Sequence, residues 1–180
     1  MKGMVFNSLQ QFVEERQGIE IWDRAVRTCA LPSKGIYVST KNYEDKELAL
    51  LIAFLSETLT TAKADLVKAF GKYIFVELLA MAPEKAKQAE NLKAFLLMVQ
   101  NIIHAEVNKL YQDSNLPEFS YKEHKDTLFM IYRSPRKLCY FSEGLILGAA
   151  DYFREQVTIN QSKCMHTGAE YCQIEITFHE

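Results

Sequence analysis

"LFMIYRSPRKLCYF", residues 128–141, is where the chain changes period. Upstream, apolar residues recur at helical spacing; here the alternation has a period of two, as in a strand. Inside the stretch three hydrogen-bond donors, Tyr132, Ser134 and Arg136, stand at two-residue intervals. In an extended segment their side chains share one side, roughly 6.5 to 7 Å apart. A phenol, a hydroxyl and a guanidinium fork in a row suit a ligand with two carboxylates, because charge-assisted bonds from Arg are strong and can be bidentate. The plainer alternative is an exposed edge strand whose Arg pairs with a nearby Glu. Pro135 keeps the segment off a central strand position under either reading.

Working outward, the N-terminal two-thirds reads as helix. "GMVFNSLQQFVEERQ" places Val5, Leu9, Phe12 and Val13 on one face, and Gly18 stops it. "GIEIWDRAVRTCA", "NYEDKELALLIAFLSETLT" and "TAKADLVKAFGKYIFVELLAM" follow, the third of the four with Asn42 or Asp45 as cap. Gly71 reads as a tolerated helical glycine, with close packing as the other option. "NLKAFLLMVQNIIHAEVNKLY" carries a stripe of Leu92, Leu96, Val99, Ile103, Val107 and Leu110, ended by Asp113, Asn115 and Pro117. Beyond it, "TLFMIYRS", "EQVTINQS" and "CQIEITFH" have strand character, with a helix, "EGLILGAADYFRE", between the first two. Helices first and strands later predict an α+β fold, a helical N-terminal part followed by a C-terminal mixed part with an antiparallel sheet.

At 180 residues the chain is one domain or a domain with a small annex. Its net charge is −2 with no basic patch, which argues against nucleic acid as a partner. The N-terminus, interrupted by Asn7, Gln10, Gln11, Glu14 and Glu15, does not read as a signal peptide. The longest apolar run, "LALLIAFL", has eight residues, far short of the roughly 20 needed to span a bilayer. The expectation is a soluble cytoplasmic protein with no membrane partner, whose cysteines are thiols or metal ligands.

Two further features carry chemistry. His104 lies at the edge of the apolar stripe, about 100° around the helix from Ile103. There it is either a boundary histidine bonded to a carbonyl or a neutral imidazole of the kind haem iron takes as its proximal ligand. "CMHTGAEYC" brings Cys164, His166 and Cys172 close in sequence, and Cys139 follows the Tyr-Ser-Arg row. Three thiols and an imidazole are a common structural zinc set, although the spacing is not that of a zinc finger. Cys29, on the second helix, reads as an ordinary buried thiol. No acid–base pair or nucleophile constellation suggests an enzyme.

"NIIHAEVNKLY", then "LPEF", "YRSPR" and "EGLILGAADYF", in this order and together with the opening "MKGMVFNSLQQFVEE", resemble the H-NOX (haem nitric oxide/oxygen binding) family, relatives of the haem domain of soluble guanylate cyclase. The likeness covers essentially the whole chain. It implies one domain over 1–180, with a helical subdomain about 1–60, a haem-binding subdomain about 61–180, and the haem b pocket between the helical and mixed parts. His104 would be the proximal iron ligand; Tyr132, Ser134 and Arg136 would clamp the propionates; Pro117 would press on the porphyrin.

The same likeness addresses selectivity. Oxygen-holding members place a distal tyrosine five residues after the signature Arg; here that residue is Phe141, so oxygen loses a hydrogen bond worth about 1–3 kcal/mol. That points to a nitric oxide sensor. Tyr140, one residue earlier, enters the pocket only if the turn is displaced by one. Val5, Leu9 and Ile74 resemble other distal residues and are also plain core residues. A subset of the family resembles this chain in having a C-terminal zinc site, in which a histidine stands where Gln161 stands here; Cys139, Cys164 and Cys172 would be joined by His166 or, second, His179. The implied partner is a histidine kinase or a cyclic-di-GMP enzyme. The rival readings are a thiol/zinc redox sensor using the C-terminal cysteines, and a haem-free domain for a small organic ligand.

Overall fold

The structure, a computed structural model, describes residues 1–110 and 115–179. Four helices open the chain: α1 (Gly3–Gln17), α2 (Ile19–Cys29), α3 (Asp45–Thr58) and α4 (Lys63–Ala80). Short helices α5 (Glu84–Lys87) and α6 (Leu92–Met98) lead into a π-helical segment, Val99–His104, and then α7 (Ala105–Leu110). The C-terminal part is β1 (Glu118–His124), β2 (Thr127–Arg133), α8 (Cys139–Phe153), β3 (Gln156–Lys163) and β4 (Cys172–His179). The four strands form one antiparallel sheet in the order β1-β2-β4-β3. This is the α+β arrangement that the change of period predicts.

Two apolar cores result. One gathers Phe6, Leu9, Leu51, Leu55, Phe70 and Ile74 from α1, α3 and α4; the other joins Phe75, Phe95 and Leu96 to Leu128, Ile146, Ile174 and Ile176 under the sheet. Each fully buried aliphatic or aromatic side chain here contributes about 1.5–3 kcal/mol. Helix α4 contributes to both, since Ile74 belongs to the first and Phe75 to the second. It packs along α8, and glycines set the distance. A Cβ on Gly71 would stand 2.4 Å from the Phe141 carbonyl oxygen, and one on Gly144 would stand 2.1 Å from that of Lys68. Gly71 is therefore a close-packing glycine rather than a merely tolerated one. Ion pairs Lys68–Glu143 (2.5 Å) and Lys72–Asp151 (2.8 Å) flank the seam.

Four local expectations are corrected. The helix predicted over 91–111 is not continuous: the wider π turn from Val99 shifts the register, and no residue of that segment is fully buried. The side chain of Leu110, and Tyr111 and Asp113, fall outside the described residues. Strand β1 has no counterpart in the sequence reading, because only Phe119 and Tyr121 alternate before polar residues follow. Helix α8 begins at Cys139, four residues before the predicted start. Neither Asn42 nor Asp45 caps α3; Glu44 is the N-cap, without a side-chain bond, and Asp45 is the first helical residue.

Candidate haem and thiol sites

A cavity of about 780 Å³ lies between α3, α4, the start of α1 and the segment following β2. Val5, Leu48, Ile52, Val67, Phe70 and Phe141 give it apolar walls; Asp45, Lys46, Lys63, Arg136, Lys137 and His166 supply charged and polar groups around them. Its size and lining are those of a small-molecule site. Phe141 packs on Phe70 with ring centroids 5.5 Å apart. Tyr140 also lines the cavity, but its ring stacks on His166 at 5.4 Å and 18°. Val5 is a wall residue, whereas Leu9 and Ile74 are fully buried in the helical core behind it.

The Tyr-Ser-Arg row is not extended throughout. Strand β2 ends at Arg133, and the chain then turns, with the Lys137 N–H donating to the Ser134 carbonyl at 3.1 Å and Lys137 at φ +51°. The phenol of Tyr132 is buried and accepts the Leu138 N–H at 2.8 Å; the Ser134 hydroxyl accepts the Arg136 N–H at 3.3 Å. Burial raises the Tyr132 phenol above its ordinary value. The two hydroxyls thus fasten the turn that presents Arg136. That guanidinium donates through Nε to Asp45 at 2.6 Å and through Nη1 to the Asn115 carbonyl at 2.5 Å. The predicted side-by-side row is corrected to a buried pair that supports one exposed-side donor.

His104 closes the π-helical segment. It is not a wall of the cavity, and neither is Pro117; the segment Asn115–Pro117 connects them, with Asn115 in the wall and the Pro117 backbone against the imidazole. The ring of Phe119 bridges the two regions, 5.4 Å from His104 and 5.7 Å from Tyr132. The Phe119 N–H donates to Gln100 Oε1 at 2.8 Å, which ties β1 to the π turn. Burial lowers the His104 pKa to about 4, with the Pro117 backbone acting in the opposite direction. Its Nδ1 is buried and has no hydrogen-bond partner among the described residues. A neutral imidazole with a bare buried nitrogen has the chemistry of a metal donor, the arginine at the cavity suits a carboxylate, and the walls suit an apolar macrocycle. By donor chemistry these residues fit haem, with His104 set outside the wall of the cavity that Arg136 edges.

Behind the turn lies the second cluster. Cys139, Cys164 and Cys172 are buried, with all three Sγ atoms within 4.8 Å of one another. Sγ of Cys164 is 3.8 Å from Cys139 and 3.9 Å from Cys172. Burial is the main cause that raises the Cys139 and Cys172 thiols; both neighbouring sulfurs add to it at Cys139, whereas at Cys172 the Met165 N–H and Cys139 work against it and Cys164 adds to it. Three buried thiols this close together offer the soft sulfur donors of a structural zinc site, so their chemistry fits zinc. The expected fourth ligand does not join it. His166 bonds the Lys137 carbonyl through Nε2 at 2.7 Å and stacks on Tyr140, facing the cavity; His179 bonds Thr158 at 2.7 Å. Gln161 donates to Glu143 at 2.8 Å, and its Oε1 is buried without a partner among the described residues. The sequence reading gave no role at the site to Asp45, Asn115, Phe119 or Gln100; an acidic residue at a helix start carries no signal that it will meet an arginine 91 positions away.

The chain matches the Haem-NO-binding family model over residues 2–161. Among curated proteins no sequence match was found. Solved structures are similar over the full length. The H-NOX protein from Shewanella oneidensis in the Fe(II)NO state is 32% identical, with a TM-score of 0.92 and 100% of both chains covered. The unliganded Fe(II) H-NOX protein from K. algicida is 28% identical, TM-score 0.92, covering 100% of this chain and 97% of that one. The H-NOX from Shewanella woodyi, in the Fe(II)CO state with IWP-051 bound, is 35% identical, TM-score 0.83, covering 98% and 94%. With the matching fold, the arginine-edged apolar cavity and the bare imidazole, this makes the chain a member of the haem-NO-binding, or H-NOX, family of haem-based gas-sensing domains.

Proposed function

We propose that the protein is a ferrous haem b sensor for nitric oxide that discriminates against oxygen and controls a separate signalling partner. The observation that carries this reading is His104: held neutral by burial, with one buried ring nitrogen unclaimed among the described residues. When bound, haem would supply a ferrous iron able to bind a diatomic gas, with His104 as the residue to hold it. His104 is the tether, Arg136 holds carboxylates, and Tyr132 and Ser134 keep the turn that presents Arg136. Pro117, whose backbone lies against His104, would bear on the bound group together with it. Phe141 offers no hydrogen-bond donor, so oxygen goes without the stabilisation a tyrosine there would give.

The signal would be release of His104 from the group it holds. The π-helical segment that bears it has no fully buried residue, so it can move at little packing cost. Motion of this segment relative to the helical subdomain, about 1–60, changes a surface of the haem-binding subdomain, about 61–180, that the partner reads. A histidine kinase or a cyclic-di-GMP enzyme in the cytoplasm is the partner class. The protein senses rather than catalyses. No helix among the described residues is long and apolar enough to cross a membrane.

The deciding experiment is the absorption spectrum of the reduced protein in air and then under nitric oxide. The expectation is a Soret band unchanged by air and shifted by nitric oxide to the form that lacks histidine. A stable oxygen complex, or a nitric oxide complex that keeps histidine, refutes the reading. His104→Gly with added imidazole tests the tether directly: free imidazole should restore the unliganded spectrum.

The thiol trio favours a companion role. Cys139, Cys164 and Cys172 would hold structural zinc, and their oxidation by a peroxide would release it and make the same domain a thiol/zinc redox sensor. His166 needs a side-chain rearrangement to complete that set, because its Nε2 is engaged by Lys137. Elemental analysis of purified protein, repeated on Cys164→Ser, checks metal content.

A further inference from the structure

The clamp arginine is itself held, and its holder comes from the opposite half of the fold. Asp45 opens α3, in the helical core's part of the chain; Arg136 follows β2, in the sheet's part. Their contact is 2.6 Å long and lies beside the cavity that both residues line. Asp45 is anchored in turn. It sits in the first turn of a 14-residue helix, where the dipole favours a carboxylate, and its other oxygen accepts from the Met1 ammonium at 2.9 Å. Asn115 takes Nη1, so Nε and Nη1 are both assigned, while Nη2 has no partner among the described residues.

A guanidinium is planar, so fixing Nε and Nη1 fixes the whole fork. We infer that Asp45 is a positioning residue for cofactor binding: it orients Arg136 so that the Nη2 edge is presented to a carboxylate of the ligand in the cavity. A second consequence follows from where the pair lies. Helix α4, which serves both apolar cores, is glycine-packed on α8, and Asp45–Arg136 is a separate ion pair between α3 and the turn after β2. Rotation of α3 relative to the turn would move Asp45 with respect to Arg136, so helix position and cofactor grip are linked.

The inference rests on the haem reading above. The test is the rate at which haem leaves the holoprotein for an excess of a haem-scavenging apoglobin, measured for wild type, Asp45→Ala, Asp45→Glu, Arg136→Ala and the double variant. Asp45 is 43% exposed and Arg136 17%, so the effect is modest: Asp45→Ala should lose haem about fivefold faster. Asp45→Glu should recover most of that, and Asp45→Ala should add nothing in the Arg136→Ala background. With the dimethyl ester of haem, which offers no carboxylate, wild type and Asp45→Ala should lose it at equal rates. Equal or slower loss of ordinary haem from Asp45→Ala overturns the proposal, as does equal acceleration with the ester, since Asp45 would then act on the fold alone. If Asp45→Ala fails to fold, Asp45→Leu, with a side chain of similar bulk, is measured in its place. A wild type that takes up no haem sinks the sensor reading and this inference with it; a haem-loaded wild type indistinguishable from Asp45→Ala sinks only the inference.

Discussion

The seam between α4 and α8 and the segment around His104 are built on opposite principles. At the seam, backbone meets backbone: Gly71 and Gly144 face the Phe141 and Lys68 carbonyls with no room for a methyl group. Around His104 the chain forms a π turn, leaves Val99, Ile102 and Ile103 only partly buried, and buries an imidazole nitrogen without a partner among the described residues. Close-packed interiors are stiff, while regions with few buried contacts open at low cost. Under the proposed function the domain needs both, a fixed edge to move against and a segment that can move.

The largest effect should come from breaking the fixed edge. Gly144→Val adds branched carbons beyond a Cβ that would itself stand 2.1 Å from the Lys68 carbonyl oxygen, so the helices must separate. The expected loss is about 3 kcal/mol, read as a lower urea midpoint at unchanged slope. A loss under about 1 kcal/mol would show that the seam yields as readily as the His104 segment.

The next largest effect tests the other end. In haem-stripped protein, His104 has its pKa lowered from 6.5 to about 4 by burial. The unfolded chain then binds more protons than the folded one between those values. The stability contributed by the neutral imidazole is complete above the unfolded value of 6.5 and falls away as the pH drops toward 4. Going from about pH 7 to about pH 5 should cost about 2 kcal/mol in wild type, over and above the change in a His104→Leu control. Parallel pH profiles for the two proteins would mean that the imidazole is solvated and the segment already open.

Much of this contrast could be read in the sequence, and the remainder could not for definite reasons. The three predicted strands have β-branched or aromatic residues at alternate positions, and β2 and β4, at the centre of the sheet, carry that signal best. Strand β1 lies at an edge and shows water a run of polar residues, so no period emerges. The π turn is invisible because Leu92, Leu96, Val99 and Ile103 fit a helical repeat as well as any helix does. Tyr132, Ser134 and Arg136 were identifiable as a group, but their geometry depends on a turn that Pro135 and a left-handed Lys137 make, which spacing does not encode. Asp45 and Gln100 act through contacts with residues distant in the chain, Arg136 and Phe119.

On the proposed function, selectivity depends on Phe141, which packs on Phe70 of α4 while lining the cavity. Phe141→Tyr supplies a donor of the kind that stabilises bound oxygen. The expected gain in oxygen affinity is about tenfold, seen as an air-stable spectrum for the reduced variant where wild type shows none. Because the new hydroxyl changes only what the gas meets, the urea midpoint should move little.

The smallest effect is the most informative about the segment that moves. Ile103→Ala removes a side chain that would cost about 2–5 kcal/mol if it were core, and the sequence stripe places it there. The structure leaves it partly buried on a π turn, packed against the edge of the sheet's core. The loss in haem-free stability should therefore be about 1 kcal/mol. In the haem-loaded protein the same variant should ease departure of His104, because less apolar contact opposes the segment's movement, and the nitric oxide form lacking histidine should appear faster. A core-sized loss of stability would restore the continuous helix that the apolar periodicity predicts. An unchanged rate would locate the restraint on His104 elsewhere, at Gln100 and the Phe119 amide that it holds.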